Sequence, residues 1–194
     1  MKSRMTGTGR RAATPASRAV DAPAKTQKFA RVLGIDPSLR GTGYGVIQFT
    51  RNGSTALASG TIHCPATWER SRCLVKISET LRDVIRATKP EVCAIEGLFF
   101  AQNLQTALIM GEARGVAICC AAEVGLEVYE IAPRKVKQAV VGYGAAQKSA
   151  VAKMVQRMLH LAEPPAPDAA DALALAIAFA SEQGTYALSA PKKL

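Results

Sequence analysis

The chain has 194 residues, a hydrophobic content of 48% and a formal net charge of +10. It is long enough for one domain with its own core, and its apolar runs, such as "GVAICCAA" and "ALALAIAFA", are too short to predict a bilayer span or a secretory leader. The charge is uneven: residues 1–28 carry seven Lys or Arg against Asp21 alone, while 29–194 carry 18 bases and 14 acids, so the body admits a polyanion partner without requiring one.

Residues 1–28 are rich in Ala, Ser, Thr and Arg and offer little to a core, so they read as a disordered basic extension. A nucleic-acid arm, a transit peptide or a non-functional extension would all fit this composition. Order begins at "FARVLGID", a short apolar run typical of a buried strand, and "PSLRGTG" reads as a turn. "YGVIQF" and "ALASGTIHC" follow as strands joined by "TRNGS", so the first three strands form an antiparallel meander. From Trp68 to Thr88, apolar residues recur at helical spacing (Leu74, Ile77, Leu81, Ile85), and Lys89–Pro90 ends the helix. "EVCAIEG" is a fourth strand, "NLQTALIMGEARGVAICCAAEVG" a long helix, and "LEVYEI" a fifth strand. "APRKVKQAVVG", "AAQKSAVAKMVQRMLHL" and the segment from Pro167 are helices, and the tail from residue 183 reads as loose. The domain therefore spans 29–182, with flanking segments 1–28 and 183–194. Strands first and alternation later predict an α/β fold: a five-stranded mixed sheet flanked by helices.

Four acids stand out. Asp36 and Glu96 each terminate an otherwise apolar strand, and Asp168 and Asp171 lie three apart at the start of the last helix. Taken singly, a strand-end Asp before Pro is turn chemistry, and an acid in a first helical turn complements the dipole. Taken together, strand ends of one sheet meet at one edge, and residues three apart share a helix face. Converging carboxylates cannot all ionise without cations, and oxygen-only donors suit Mg²⁺ or Mn²⁺. Between Ala132 and Ala162 there is no acid but six bases, Arg134, Lys135, Lys137, Lys148, Lys153 and Arg157, a composition suited in part to phosphate contact. The five cysteines (Cys64, Cys73, Cys93, Cys119, Cys120) form no CxxC and read as reduced thiols of a cytoplasmic protein.

The motifs "LGIDPSLRGTGYGVI", "AIEGLFFAQN", "ARGVA", "RKVKQAVVGYGAAQKSAV" and "PDAADALALAIA", in this order between Val32 and Ala180, resemble the RuvC family of Holliday junction resolvases. The resemblance implies an RNase H-like fold and a homodimer that resolves four-way DNA junctions by paired nicks in recombination and repair, leaving 5′-phosphate and 3′-hydroxyl ends. It implies two Mg²⁺ per active site, for which Mn²⁺ would substitute, held by Asp36, Glu96, Asp168 and Asp171. It also implies Lys137 and Lys148 near the scissile phosphate and base stacking by Phe99, a role its neighbour Phe100 would share; Arg134 and Lys135, from the acid-free stretch, read as further DNA contacts. A branch-migration helicase of the RuvA and RuvB type is the implied partner, with no membrane. One departure is Ser38, where the family usually has Gly after "GIDP"; a turn requiring positive φ would be strained there. Gly111 and Gly115, one turn apart, would allow either close approach of a second helix or packing on the protein's own sheet. Other readings are a catalytically silent junction-binding module, another RNase H-like nuclease, and an actin-like ATPase, for which the second phosphate-binding Asp-Gly motif is missing.

Overall fold

The computed structural model describes residues 29–50, 53–97, 103–182 and 191–194. The expected extension 1–28, the residues 98–102 that include Phe99 and Phe100, and positions 183–190 of the tail lie outside the described residues. The elements are β1 (Arg31–Asp36), β2 (Gly41–Thr50), β3 (Gly53–His63), α1 (Arg70–Thr88), β4 (Val92–Glu96), α2 (Leu104–Ala122), β5 (Glu127–Ile131), α3 (Pro133–Val141), α4 (Lys148–Met158), α5 (Pro167–Glu182) and β6 (Lys192–Lys193). The first ten follow the order read from the sequence.

The sheet is mixed, with strand order β3-β2-β1-β4-β5-β6. The β1–β2 and β2–β3 pairs are antiparallel; β4 lies parallel to β1 on one side and to β5 on the other. The sheet thus has six strands rather than five. Lys192–Lys193 pairs antiparallel with Tyr129–Glu130 and is anchored by Lys193 Nζ to Glu127 Oε1 at 2.8 Å. Two lysines carry no apolar alternation, so nothing in their sequence marks a strand.

Alternation along the strands sorts side chains into two cores. Leu33, Ile35, Cys93 and Ile95 pack with Ile77 and Leu81 of α1 and Ala113 and Ala117 of α2. Val32, Val92 and Ala94 pack on the other face with α3, α4 and α5. Asp36 and Glu96 continue the second set, so both strand-end acids point to the α5 side. Helix α1 stops at Lys89, whose left-handed backbone (φ 48°) closes the last turn onto Ile85 O.

Helix α5 is buried from Ala169 to Ala180 apart from Asp171. It crosses β1 and β2 where their inward positions are glycine. A Cβ at Gly34 would lie 2.0 Å from Ala172 O, one at Gly43 2.0 Å from Asp168 O, and one at Gly45 2.7 Å from Leu173 Cδ2. This explains why Gly41–Gly43 continues a strand and is not part of the expected turn. Glycine weakens the strand pattern but lets another backbone approach closely.

Helix α2 also departs from expectation. Its polar residues divide the apolar runs in the sequence, yet 19 continuous residues are long and apolar enough, by length and composition, to cross a membrane. Instead Ala113, Ala117, Cys120 and Ala121 are buried against α1 and the sheet, while Leu104 and Leu108 are exposed.

Substituting Gly34 or Gly43 by Ala should destabilise the fold by about 2–3 kcal/mol, because a backbone carbonyl must move. Gly115→Ala, with nothing within 4 Å of the added carbon, should be neutral or stabilising. Denaturant unfolding of the three variants measures this; equal effects would contradict the close α5–sheet approach.

Candidate active site

Asp36 and Glu96 end adjacent parallel strands whose register aligns Gly34 with Ala94 and Ile35 with Ile95. The two carboxyl groups therefore emerge side by side and share a hydrogen bond. Burial, and then the neighbouring Glu96 charge, push Asp36 from its ordinary 3.8 up to about 8. Glu96 is also raised, chiefly by burial, although the hydrogen bond from Asp36 opposes the shift. The crowding of these two acids favours the protonated form of both.

Asp171 adds a third charge from the first turns of α5 and raises both of its neighbours. Lys148, the first residue of α4, meets it: Nζ donates to Asp171 Oδ2 at 2.6 Å. That hydrogen bond raises the lysine's pKa, so the ammonium stays charged. Glu96, Asp171, Lys148 and Lys137 line a cavity of about 180 Å³, whose floor is Pro133, Val136, Val151 and Leu175. Two acids and two lysines thus share one opening above the strand ends.

Asp168 occupies a different position. It is partly buried, and its Oδ2 would lie 3.1 Å from a Cβ at Gly41. It flanks the cluster from the β2 side instead of lining the cavity. Arg134 packs against the backbone at Gly144, and Lys135 is partly buried on α3. Phe99 and Phe100, expected beside Glu96, lie outside the described residues. Among the described residues, no three His, Cys, Asp or Glu side chains are gathered closely enough to enclose an ion. Part of the negative charge is offset from within by Lys148, paired with Asp171.

Several residues that hold this geometry were not singled out from the sequence. Thr42, fully buried, donates from Oγ1 to Ser38 O at 2.5 Å and accepts from Ser38 N–H at 3.2 Å, closing the turn that follows Asp36. Ser38 itself is unstrained: among the described residues other than glycine, only Lys89 and His160 have positive φ. Leu39 anchors the same turn among Cys64, Cys73 and Trp68, and Arg40 Nη1 donates to Pro65 O (2.6 Å) and Trp68 O (3.0 Å). On the other strand, Arg114 of α2 donates from Nε to Glu96 O at 3.3 Å and pairs through Nη2 with Glu130 of β5. A buried hydroxyl, or an arginine bonded to a main-chain oxygen, has no periodicity to reveal it in a sequence.

The comparisons agree on one family. The family model described as "Crossover junction endodeoxyribonuclease RuvC" matches residues 32–179. Relatives of that name from Caldanaerobacter subterraneus subsp. tengcongensis and Bordetella parapertussis are 45% and 47% identical. The alignments cover 76% and 77% of this chain and 90% and 82% of the relatives. Among solved structures, Thermus thermophilus RuvC in complex with Holliday junction substrate matches with a TM-score of 0.75 and 31% identity, over 85% of this chain and 99% of that one. The yeast mitochondrial Holliday junction resolvase Ydc2, at 13% identity and a TM-score of 0.54 over 78% of this chain and 79% of that one, shares the fold.

The raised Asp36 pKa has a consequence for stability in EDTA. Between the ordinary 3.8 and about 8, the folded chain holds a proton that the unfolded chain has released. Its contribution is therefore complete below about pH 4 and is lost as pH rises toward 8. Thermal melts in EDTA should show a melting temperature that falls from pH 5 to pH 8.5. Asp36→Asn should flatten that slope, and an equal slope in both proteins would contradict the raised pKa of Asp36.

Proposed function

The chain belongs to the RuvC family of crossover junction endodeoxyribonucleases, and on that premise we propose that it hydrolyses phosphodiester bonds in four-way DNA junctions. The observation that carries this reading is the partly buried carboxylate cluster of Asp36, Glu96 and Asp171, of which Glu96 and Asp171 line a cavity shared with two lysines.

The donor set fits hard divalent cations. All its ligating atoms are carboxylate oxygens, they are partly buried, and the crowding that raises the pKa of Asp36 marks a place where positive charge is wanted. Asp36, Glu96 and Asp171 would hold Mg²⁺ or Mn²⁺. Asp168 would complete the set from the β2 side. When bound, such ions activate a water for attack at phosphorus and stabilise the leaving oxygen. The chain's own residues do the rest. Asp36 and Glu96 would hold such ions as carboxylates, so that binding would release the proton their crowding favours. Lys148, released from Asp171, and Lys137 present positive charge to the phosphate as its oxygens gain charge. Water adds to phosphorus, the bond to the 3′ oxygen breaks, and that oxygen leaves protonated, giving 5′-phosphate and 3′-hydroxyl ends.

A homodimer would place two such sites on one symmetric junction. Helix α2 supports this: Leu104 and Leu108 are exposed, and Gly111 and Gly115 have open space where a Cβ would stand. Among the described residues, nothing lies within 4 Å of a Cβ placed at either glycine, the sheet included. A second copy of α2 could approach along that face. A helicase partner of the RuvA and RuvB type, and action in the cytoplasm in recombination and repair, follow from family membership; five free cysteines suit a reducing compartment.

A synthetic mobile junction and a linear duplex of the same sequence, incubated with Mg²⁺ and with EDTA, test the activity. Paired nicks in the junction alone, dependent on Mg²⁺, are expected. Asp36→Asn should bind the junction but not cut it, and Lys148→Met should lower the single-turnover rate by about a hundredfold. Tight binding without nicks would instead identify a silent binder. Leu108→Glu should convert a dimer to a monomer in sedimentation velocity; an unchanged mass would place the interface elsewhere.

A further inference from the structure

The connection between α3 and α4 presents a side chain that neither the fold nor the cleavage chemistry uses. It begins at Gly142, whose left-handed backbone (φ 95°) caps α3 through its N–H on Gln138 O. Gly144 lies under the Arg134 side chain, so closely that a Cβ there would be 2.4 Å from Arg134 Cγ. Ala146 is buried in the core. The loop is therefore pinned at both ends and in its middle, and Tyr143 projects from it with 56% of its surface exposed. A fixed loop that points a large ring into water gains nothing for folding. Among the described residues, Tyr143 is the only aromatic in the set of exposed large apolar side chains.

The surroundings of the ring identify the class of partner. Helix α3 before the loop carries Lys137 and helix α4 after it begins with Lys148, and both lysines line the cavity with Glu96 and Asp171. No acid occurs between Ala132 and Ala162, against six bases. A protein-docking ring would be expected amid mixed charge. An exposed ring on a stretch of chain with six bases and no acid, in the loop joining the two helices whose lysines reach the cavity, suits a nucleic acid strand, whose phosphates answer the bases and whose nucleobases answer the ring.

We propose that Tyr143 is a DNA contact in which its ring stacks on a nucleobase unpaired at the crossover, in the strand whose phosphate lies at the Lys137–Lys148 cavity. This rests on the junction-cleaving function proposed above and adds a second, aromatic point of hold on the cut strand. The contact is neutral, so it adds affinity without displacing counterions. The hydroxyl is not required for it.

Binding to a four-way junction carrying 2-aminopurine at single positions around the cut site tests this, in EDTA so that no cutting intervenes. Wild-type protein should change the fluorescence at one such position. Tyr143→Ala should lose that change and bind about tenfold more weakly, with the salt dependence of binding unaltered. Tyr143→Phe should behave as wild type. Lys137→Gln, in contrast, should lower the slope of affinity against salt by about one. The contact is overturned if Tyr143→Ala binds and reports like wild type, or if Tyr143→Phe loses as much as Tyr143→Ala, which would assign the hydroxyl and not the ring. Failure of the wild type to bind any junction would remove the proposed function itself, and this contact with it.

Discussion

Helix α5 lies so close to β1 and β2 that its backbone carbonyls occupy the volume where side chains at Gly34 and Gly43 would stand. The rest of the site depends on that approach. Because α5 rests on main chain instead of on side chains, its first turns reach the edge where β1 and β4 end. Asp171 then lines the same cavity as Glu96 and acts on the charge of Asp36, while the remainder of the helix is buried among Val32, Ile47 and Ala94. A bulkier residue at either glycine would lift the helix and carry Asp171 away with it. The buried stripe and the acidic start of one helix are two consequences of a single packing contact.

Concentrating acids at a buried strand edge works against folding, and the structure offsets this in two ways. Asp36 keeps its proton and gives a hydrogen bond to Glu96, and Lys148 reaches across from α4 to Asp171. Both compensations are reversible, since a proton can leave and an exposed lysine can swing away. The scaffold around them is not. Thr42 locks the turn after Asp36, and Arg114 ties the end of β4 to β5 and to α2. Arg114 also makes the helix with the exposed apolar face a neighbour of the Glu96 main chain. The active edge and the proposed subunit contact are joined by one side chain.

Much of this was legible in the sequence, for physical reasons that differ by element. The strands and helices from Phe29 to Glu182 announce themselves by period, because each has one face against a core. The mixed sheet followed from strands first and alternation later. The N-terminal end of β2 was hidden, since Gly41 and Gly43 have no side chain to alternate, and β6 was hidden because Lys192–Lys193 pairs only through its backbone. At the site, spacing indicated that Asp168 and Asp171 share a side of α5, but not that one would line the cavity and the other flank it at Gly41. That distinction depends on where the helix crosses the sheet. The supporting hydrogen bonds of Thr42 and Arg114 join residues distant in space from any motif's apparent purpose, and no local pattern encodes them.

Anomalous diffraction from crystals grown with Mn²⁺ would show whether the helix-to-glycine contact assembles a cation site from Asp36, Glu96 and Asp171. Anomalous peaks bounded by these three carboxylates are expected in the wild-type protein, with Lys148 Nζ moved off Asp171, and their loss is expected in Asp36→Asn. Clear Mn²⁺ peaks elsewhere on the surface, with the Asp36–Glu96 hydrogen bond and the Lys148–Asp171 pair both intact, would contradict that assembly.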